Sequence, residues 1–196
     1  MGSKERRERE RDGIRTRIVD TARQMFAAGG YEAVTMREIA DRIEYSPTAI
    51  YFHFKDKDAL IRELCDRDFQ QLAEKFTSIA RIADPIEKLR RAGQLYVHFG
   101  LENPNQYRTM FMMARPSGSA EREVYAFLRS IVAEGVEHGL FRKELDDVDL
   151  LAQTVWACVH GVIALHISKS NDPAVSWAPF KDRAEAMIEL LIEGLI

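Results

Sequence analysis

Tyr51, Phe52, His53, Lys55 and Lys57 fall within seven residues, just after Ser46, Thr48 and Ala49. Ile50 and Phe54 lie four apart on one helical face, which leaves the other side chains to spread outward. The outward surface then combines small residues, aromatic rings, an imidazole and ammonium groups. That mixture suits a nucleic-acid groove. Lysines neutralise phosphates and release counterions, Tyr, His and Thr donate to phosphate oxygens, and small residues at the head of a short helix let it approach base edges. The competing reading is a surface helix whose aromatics pack beneath a neighbouring loop. Patterns for turnover are missing: there is no Gly-rich phosphate loop, no Gly-x-Ser-x-Gly elbow and no His-Glu-x-x-His. Cys65 and Cys158 stand far apart with no Cys or His at metal spacing. Reduced thiols are therefore expected, with no metal and no cofactor.

Two short helices must position these groups. Thr35 followed by Glu38 is a capping box, so a helix starts there. Met36, Ile39, Ala40 and Ile43 form its inward stripe, while Arg37, Asp41 and Arg42 face water. Ser46 is a good N-cap for a second helix, with Pro47 at its first position. Two short helices at this spacing predict a helix-turn-helix. A preceding helix, with Ile14, Ile18, Ala22, Met25 and Phe26 on one stripe, supplies the core and stops at Gly29-Gly30. Residues 4–12, five basic and four acidic, read as a solvated arm or helical extension, or as an arm touching the minor groove.

From about Ile14 to about Leu64 the sequence resembles the TetR family of bacterial transcriptional repressors. The likeness is carried by Ala27-Ala-Gly-Gly-Tyr31, Thr35-Met-Arg-Glu-Ile-Ala40 and Ile50-Tyr-Phe-His-Phe-Lys55. It implies phosphate or base contacts at Thr35, Thr48, Ala49, Tyr51, Phe52, His53 and Lys57, and Arg37, Ser46 and Lys55 join them as candidates. The family's turn usually holds glycine where this chain has Glu44. Either the turn has another shape here, or it bears strain of roughly 1–2 kcal/mol.

Net charge is −3, with 12 basic and 11 acidic side chains in residues 1–60 and 16 against 20 in the rest. DNA affinity would rest on placed contacts more than on a basic field. The longest apolar run, Val155 to Ile167, is 13 residues with two histidines, and no secretory signal precedes the charged start. The expectation is a cytoplasmic protein without a membrane span.

Beyond residue 56 the apolar spacing stays helical. A long helix runs from Asp56 or Lys57 to about Ile82, another from Asp84-Pro85 to about Leu101, and a short one from Gln106 to Ala114, ended by Arg115-Pro-Ser-Gly118. A helix from Ala120 to His138 follows, then one capped by Asp146 and Asp149 running to about Ser170, and a last from Trp177 to Ile196. The prediction is an all-α chain of about nine helices. Residues 1–56 would bind DNA, and residues 57–196 would sense a ligand and dimerise.

The last two helices are apolar on more than one side, which calls for a second copy of the chain. Val155, Val159, Val162, Ile188, Leu191 and Leu195 are the expected dimer contacts, with Ala157, Gly161 and Ala164 allowing close approach. Tyr96, Phe99, Tyr107, Met110, Phe111, Met113, Phe127, Trp156 and His160 offer large apolar surfaces with a few polar tips, as a small-molecule pocket needs. Each of them alone is more simply read as plain core than as pocket, and His160 as a satisfied buried histidine. Trp156-Ala-Cys-Val-His160-Gly161 also resembles the Trp-His-Gly signature of one branch of TetR-type C-terminal domains, implying ligand sensing. With no Lys or Arg on these stripes, the effector is expected to be lipophilic and mostly uncharged. The reading is a homodimeric regulator, most simply a repressor, that leaves a palindromic operator when the effector binds. The alternative is a ligand-binding helical bundle or enzyme with no DNA role.

Overall fold

The computed structural model describes residues 3–112 and 118–196, and those residues form nine α-helices and no strand. Met113 and most of the turn expected before Gly118 lie outside them. The first unit is α1 (Ser3–Gly29), α2 (Met36–Arg42) and α3 (Pro47–His53). Ile18, Val19, Ala22, Ile39, Ala40 and Ile50 pack in its centre with no exposed surface. Removing such side chains from water is what holds two seven-residue helices in place, since helices this short are unstable alone. α1 begins at Ser3, so the arm of alternating charges is a helical extension whose side chains at residues 4–12 are exposed.

α4 (Lys57–Thr77) leads from this unit into the body. Its N-cap Asp56 accepts the Ala59 amide at 2.6 Å. It ends at Thr77, short of the expected Ile82, because the Thr77 and Ser78 hydroxyls take up the carbonyls of Glu74 and Lys75 and the chain passes into turns. The body is completed by α5 (Pro85–Glu102), α6 (Pro104–Phe111), α7 (Ser119–Glu137), α8 (Val148–Lys169) and α9 (Phe180–Leu195). α8 is capped by Asp147, whose carboxylate accepts two amides, and not by Asp146 or Asp149. α9 starts after Pro179 and not at Trp177. α5, α7, α8 and α9 pack on one another, and α4 packs on α7, α5, α6 and α1. At Gly100 a Cβ would lie 2.7 Å from Ile163, so α5 and α8 cross closely there.

Four of the expected dimer contacts are corrected. Val155, Val159, Ile188 and Leu195 are at most 5% exposed within the single chain, and Val162 and Leu191 are half-buried. The bulkiest stripes of α8 and α9 went to the chain's own core. What they leave outward is a second stripe, with Leu150, Ala157 and Leu165 on α8 and Ala186 and Leu190 on α9. Gly161 lies beside it with open space where a Cβ would stand. α8 is also long and apolar enough to cross a membrane by composition, with mean hydropathy 1.6. The sequence reading missed this by counting only uninterrupted apolar residues. One side of the helix is occupied by α5, α7 and α9.

Candidate nucleic-acid interface and ligand cavity

The turn between α2 and α3 sets the angle of α3. The Tyr45 amide donates to the Ala40 carbonyl at 3.0 Å and the Glu44 amide to Asp41 at 3.2 Å, the paired bonds of a Schellman motif. That motif needs a left-handed residue at its second-to-last position, and Glu44 supplies it with φ 61°. The turn therefore keeps the glycine shape and bears the strain of a side chain. Arg17 holds it from α1, reaching the Ile43 carbonyl at 3.5 Å with its guanidinium over the Tyr45 ring.

α3 is fixed at both ends. Ser46 Oγ accepts the Ala49 amide at 3.2 Å, so this hydroxyl is already engaged in capping. At the other end Arg15 donates to the His53 carbonyl at 2.8 Å and to Glu63 on α4 at 3.0 Å, and lies 4.2 Å over the Phe54 ring. A cation at a helix C-terminus complements the helix dipole. Arg15 was missed from sequence because nothing there separates it from the many other arginines of α1. Between these anchors Thr48 is exposed, Tyr51 is 52% exposed and Phe52 74%. Those aromatics do not pack beneath a loop. Ala49 is half-buried, and Arg37 and Thr35 are exposed on α2, where Thr35 exchanges hydrogen bonds with Glu38 as the capping box requires.

His53 and Lys57 depart from the expected outward face. His53 is half-buried, and burial, with Arg11 and Arg15 nearby, holds its imidazole below the usual histidine range. It is a neutral group. Lys57 is half-buried, donates to the Tyr31 carbonyl and sits 3.9 Å from the centre of the Tyr31 ring. An electron-rich ring face and the Tyr31 carbonyl, which also accepts the Val34 amide at 3.4 Å, draw the ammonium inward. The Tyr31 hydroxyl in turn donates to Asp58 at 2.7 Å, and burial and that carboxylate push its pKa up to about 12. Lys55 is the ammonium that stays out, with 77% of its side chain exposed beside Asp56 at 3.6 Å.

In the body, an apolar cavity partly open to solvent lies between α4, α5, α6, α7, α8 and α9. Of the expected residues, Tyr96, Phe111, Phe127 and Trp156 line it. Phe99, Tyr107 and Met110 do not: they are at most 2% exposed and form the layer behind the wall. His160 is also outside the wall, 2.6 Å through Nδ1 from the Tyr107 hydroxyl. Tyr107 is 3.1 Å from the Tyr96 hydroxyl, to which Trp156 Nε1 donates at 3.1 Å. Burial holds both phenols above the usual tyrosine range and His160 below the usual histidine range. All three are neutral. Residues not foreseen complete the wall, among them Phe69 and Phe76 of α4 and Glu121 and Tyr125 of α7. Val155, Val159, Ile188 and Leu191, expected at a dimer contact, line it as well. Phe76 stacks on Phe127 with centroids 5.4 Å apart, so α4 touches the cavity through an aromatic pair.

Comparison with known proteins matches both units. The family model described as "Bacterial regulatory proteins, tetR family" covers residues 18–64, and "Tetracyclin repressor-like, C-terminal domain" covers residues 89–193. The transcriptional regulator UidR of Escherichia coli K12 is 33% identical over 78 residues, 40% of this chain and only 37% of that protein. The transcriptional repressor KstR2 of Mycolicibacterium smegmatis is 28% identical over 169 residues, 74% of this chain and 77% of that protein. The solved structure of FadR from Bacillus subtilis in complex with stearoyl-CoA shares the fold, with TM-score 0.75, 20% identity, and coverage of 92% of this chain and 99% of that one. With its own C-terminal model spanning more than half of the sequence and a helix-turn-helix in front, this chain belongs to the TetR family of bacterial regulatory proteins.

Proposed function

We infer that the protein is a homodimeric transcriptional repressor, and that a lipophilic effector in the body cavity releases it from a palindromic DNA operator. The observation that carries this reading is the exposed face of α3. Tyr51, Phe52 and Thr48 project from a helix clamped at both ends, and the two rings keep 52% and 74% of their surface exposed although Arg11 lies 5.9 Å from the Phe52 ring. A major groove supplies the missing partner, with Thr48 and Ala49 nearest the bases, Tyr51, neutral His53 and Arg37 on phosphates, and Lys55 adding charge. Lys57 and Ser46 act by positioning α4 and α3. The name of KstR2 supports repression over activation.

Two recognition helices on successive grooves require a twofold dimer. The outward stripe of α8 and α9 suits that role, since Leu165 and Leu190 are 49% and 69% exposed beside small residues that permit close approach. Coupling runs through α4. Asp58 at its start holds Tyr31, while Phe69 and Phe76 line the cavity, about 16 and 27 Å along the same helix at 1.5 Å per residue. An occupant that displaces Phe76 and Phe127 tilts α4 and changes the separation of the two α3 helices. Differential affinity of about 1–3 kcal/mol between the two states is enough to matter.

The FadR complex contains stearoyl-CoA. An acyl chain is compatible with this wall, and among the described residues the lining holds no Lys or Arg to receive a polyanionic head. The test is selection of genomic fragments by the purified protein, followed by titration of the bound complex with uncharged lipophiles. Enrichment of a palindromic sequence and its release by one of them are expected. Recovery of DNA without sequence preference would end the regulator reading and leave the ligand-binding bundle.

A further inference from the structure

The hydrogen-bond donors behind the cavity can be counted, and the count has two solutions. Trp156 Nε1–H can only donate, and it donates to the Tyr96 hydroxyl oxygen. Tyr107 has one proton and two neighbours, Tyr96 at 3.1 Å and His160 Nδ1 at 2.6 Å. In the first solution Tyr107 donates to an unprotonated Nδ1, and Tyr96 donates to Tyr107. In the second, His160 carries its proton on Nδ1 and donates to Tyr107, which donates to Tyr96. Tyr96 then accepts twice, and its own proton makes no hydrogen bond to a described residue, although the Glu121 carboxylate lies close enough to act on the phenol. Tyr96 is part of the cavity wall, so that proton is offered to whatever fills the cavity.

A second group makes the same demand. The Tyr125 hydroxyl is buried without a hydrogen-bond partner among the described residues, and Tyr125 lines the cavity with its ring 5.9 Å from that of Trp156. A buried hydroxyl left unpaired is unfavourable, and a ligand's polar atom would relieve it. The rest of the wall is aliphatic or aromatic apart from Glu121.

Granting that the cavity is the effector site, we propose that its ligand is an uncharged lipophile bearing a carbonyl group, which accepts a hydrogen bond from the Tyr96 hydroxyl while His160 holds its proton on Nδ1. Tyr96 is thus the specificity-determining residue, and the Trp156, Tyr107 and His160 side chains position its proton. The arrangement selects against the bare hydrocarbon, which would leave these donors unsatisfied.

The test uses matched probes: methyl ketones and polycyclic ketones over a range of sizes, each with the hydrocarbon and the primary amine of the same skeleton. Binding is read by fluorescence of Trp156 in full-length protein carrying Trp177→Phe, which removes the other of the two tryptophans. A ketone should bind about 3- to 10-fold more tightly than its hydrocarbon, as one neutral hydrogen bond allows. Tyr96→Phe should erase that preference, read as the ratio of ketone to hydrocarbon affinity within the variant, with circular dichroism and thermal melting showing that the variant is folded. In the ketone complex, 15N NMR should find the His160 proton on Nδ1. Equal binding of ketone and hydrocarbon would overturn the inference and leave the cavity reading standing, as would a preserved preference in Tyr96→Phe or a His160 proton on Nε2. Preference for the protonated amine would move the polar anchor to Glu121 and also overturn it. If no probe of any class binds, the cavity reading itself falls and takes the inference with it.

Discussion

Glu44 shows how much of the interface turns on single side chains. Its φ of 61° is imposed by the hydrogen bonds of the turn, and Glu44→Gly should stabilise the protein by about 1 kcal/mol in thermal or urea unfolding. The same change removes a carboxylate near the phosphates, so DNA affinity should rise as well; a loss of stability would mean that the carboxylate makes a compensating contact. The two lysines after α3 separate by the same kind of reasoning. Lys55→Ala should lower the dependence of log affinity on log salt by about one unit, as loss of one phosphate contact does. Lys57→Ala should instead loosen the join of α1 to α4 and lower the melting temperature, because its ammonium is held by Tyr31. Equal salt slopes for both variants would show that Lys57 leaves Tyr31 for the DNA. The caps at Thr35 and Ser46 were legible in the sequence because capping is local. The inward turn of Lys57 was not, since its partner lies 26 residues away in sequence.

Among the elements, α4 joins the two functions, and the contact where α1, α4 and α6 meet is its least satisfied point. Asp68 is fully buried there and accepts from Arg23, with Gln106 of α6 at 3.5 Å. Asp68 Oδ2, Gln106 Oε1 and Arg23 Nε have no hydrogen-bond partner among the described residues. Burial pushes the Asp68 carboxyl up to about 6, against the pull of Arg23. Its folded pKa thus exceeds the unfolded value of about 3.9, and the native chain binds the proton more tightly. Stability from this group is fully present below about pH 4 and is lost as pH rises through about 6. Relative to Asp68→Asn, wild type should lose on the order of 2 kcal/mol across that interval, measured by urea unfolding at a series of pH values. A difference that grows in favour of wild type with pH would mean that the Arg23 ion pair outweighs desolvation. Periodicity announced every helix, but not where α4 and α6 end or begin, because turn hydrogen bonds and Pro104 decide those points. The pocket was legible only in part. Tyr96, Phe111, Phe127 and Trp156 were identified, whereas Phe99, Tyr107 and Met110 share their composition and differ only in which helix stands behind them.

For the whole molecule, the surplus apolar surface of α8 and α9 was readable, but its division was not. A helix with two apolar sides gives no sign in its sequence of which side faces its own chain. In the proposed dimer the stripe containing Leu190 is central, and Leu190→Glu should halve the mass in sedimentation while scarcely changing the protomer fold, since that side chain is 69% exposed. A monomeric wild type, or a dimer indifferent to this change, would require another interface. The account as a whole rests on the outer face of α3, and the most direct test is the affinity of wild type and Tyr51→Ala for the DNA sequence that wild type selects. Tyr51 is half exposed and makes no side-chain hydrogen bond with a described residue, so the variant should melt close to wild type yet bind at least about tenfold more weakly. Equal affinity of the two proteins for that DNA would contradict the account.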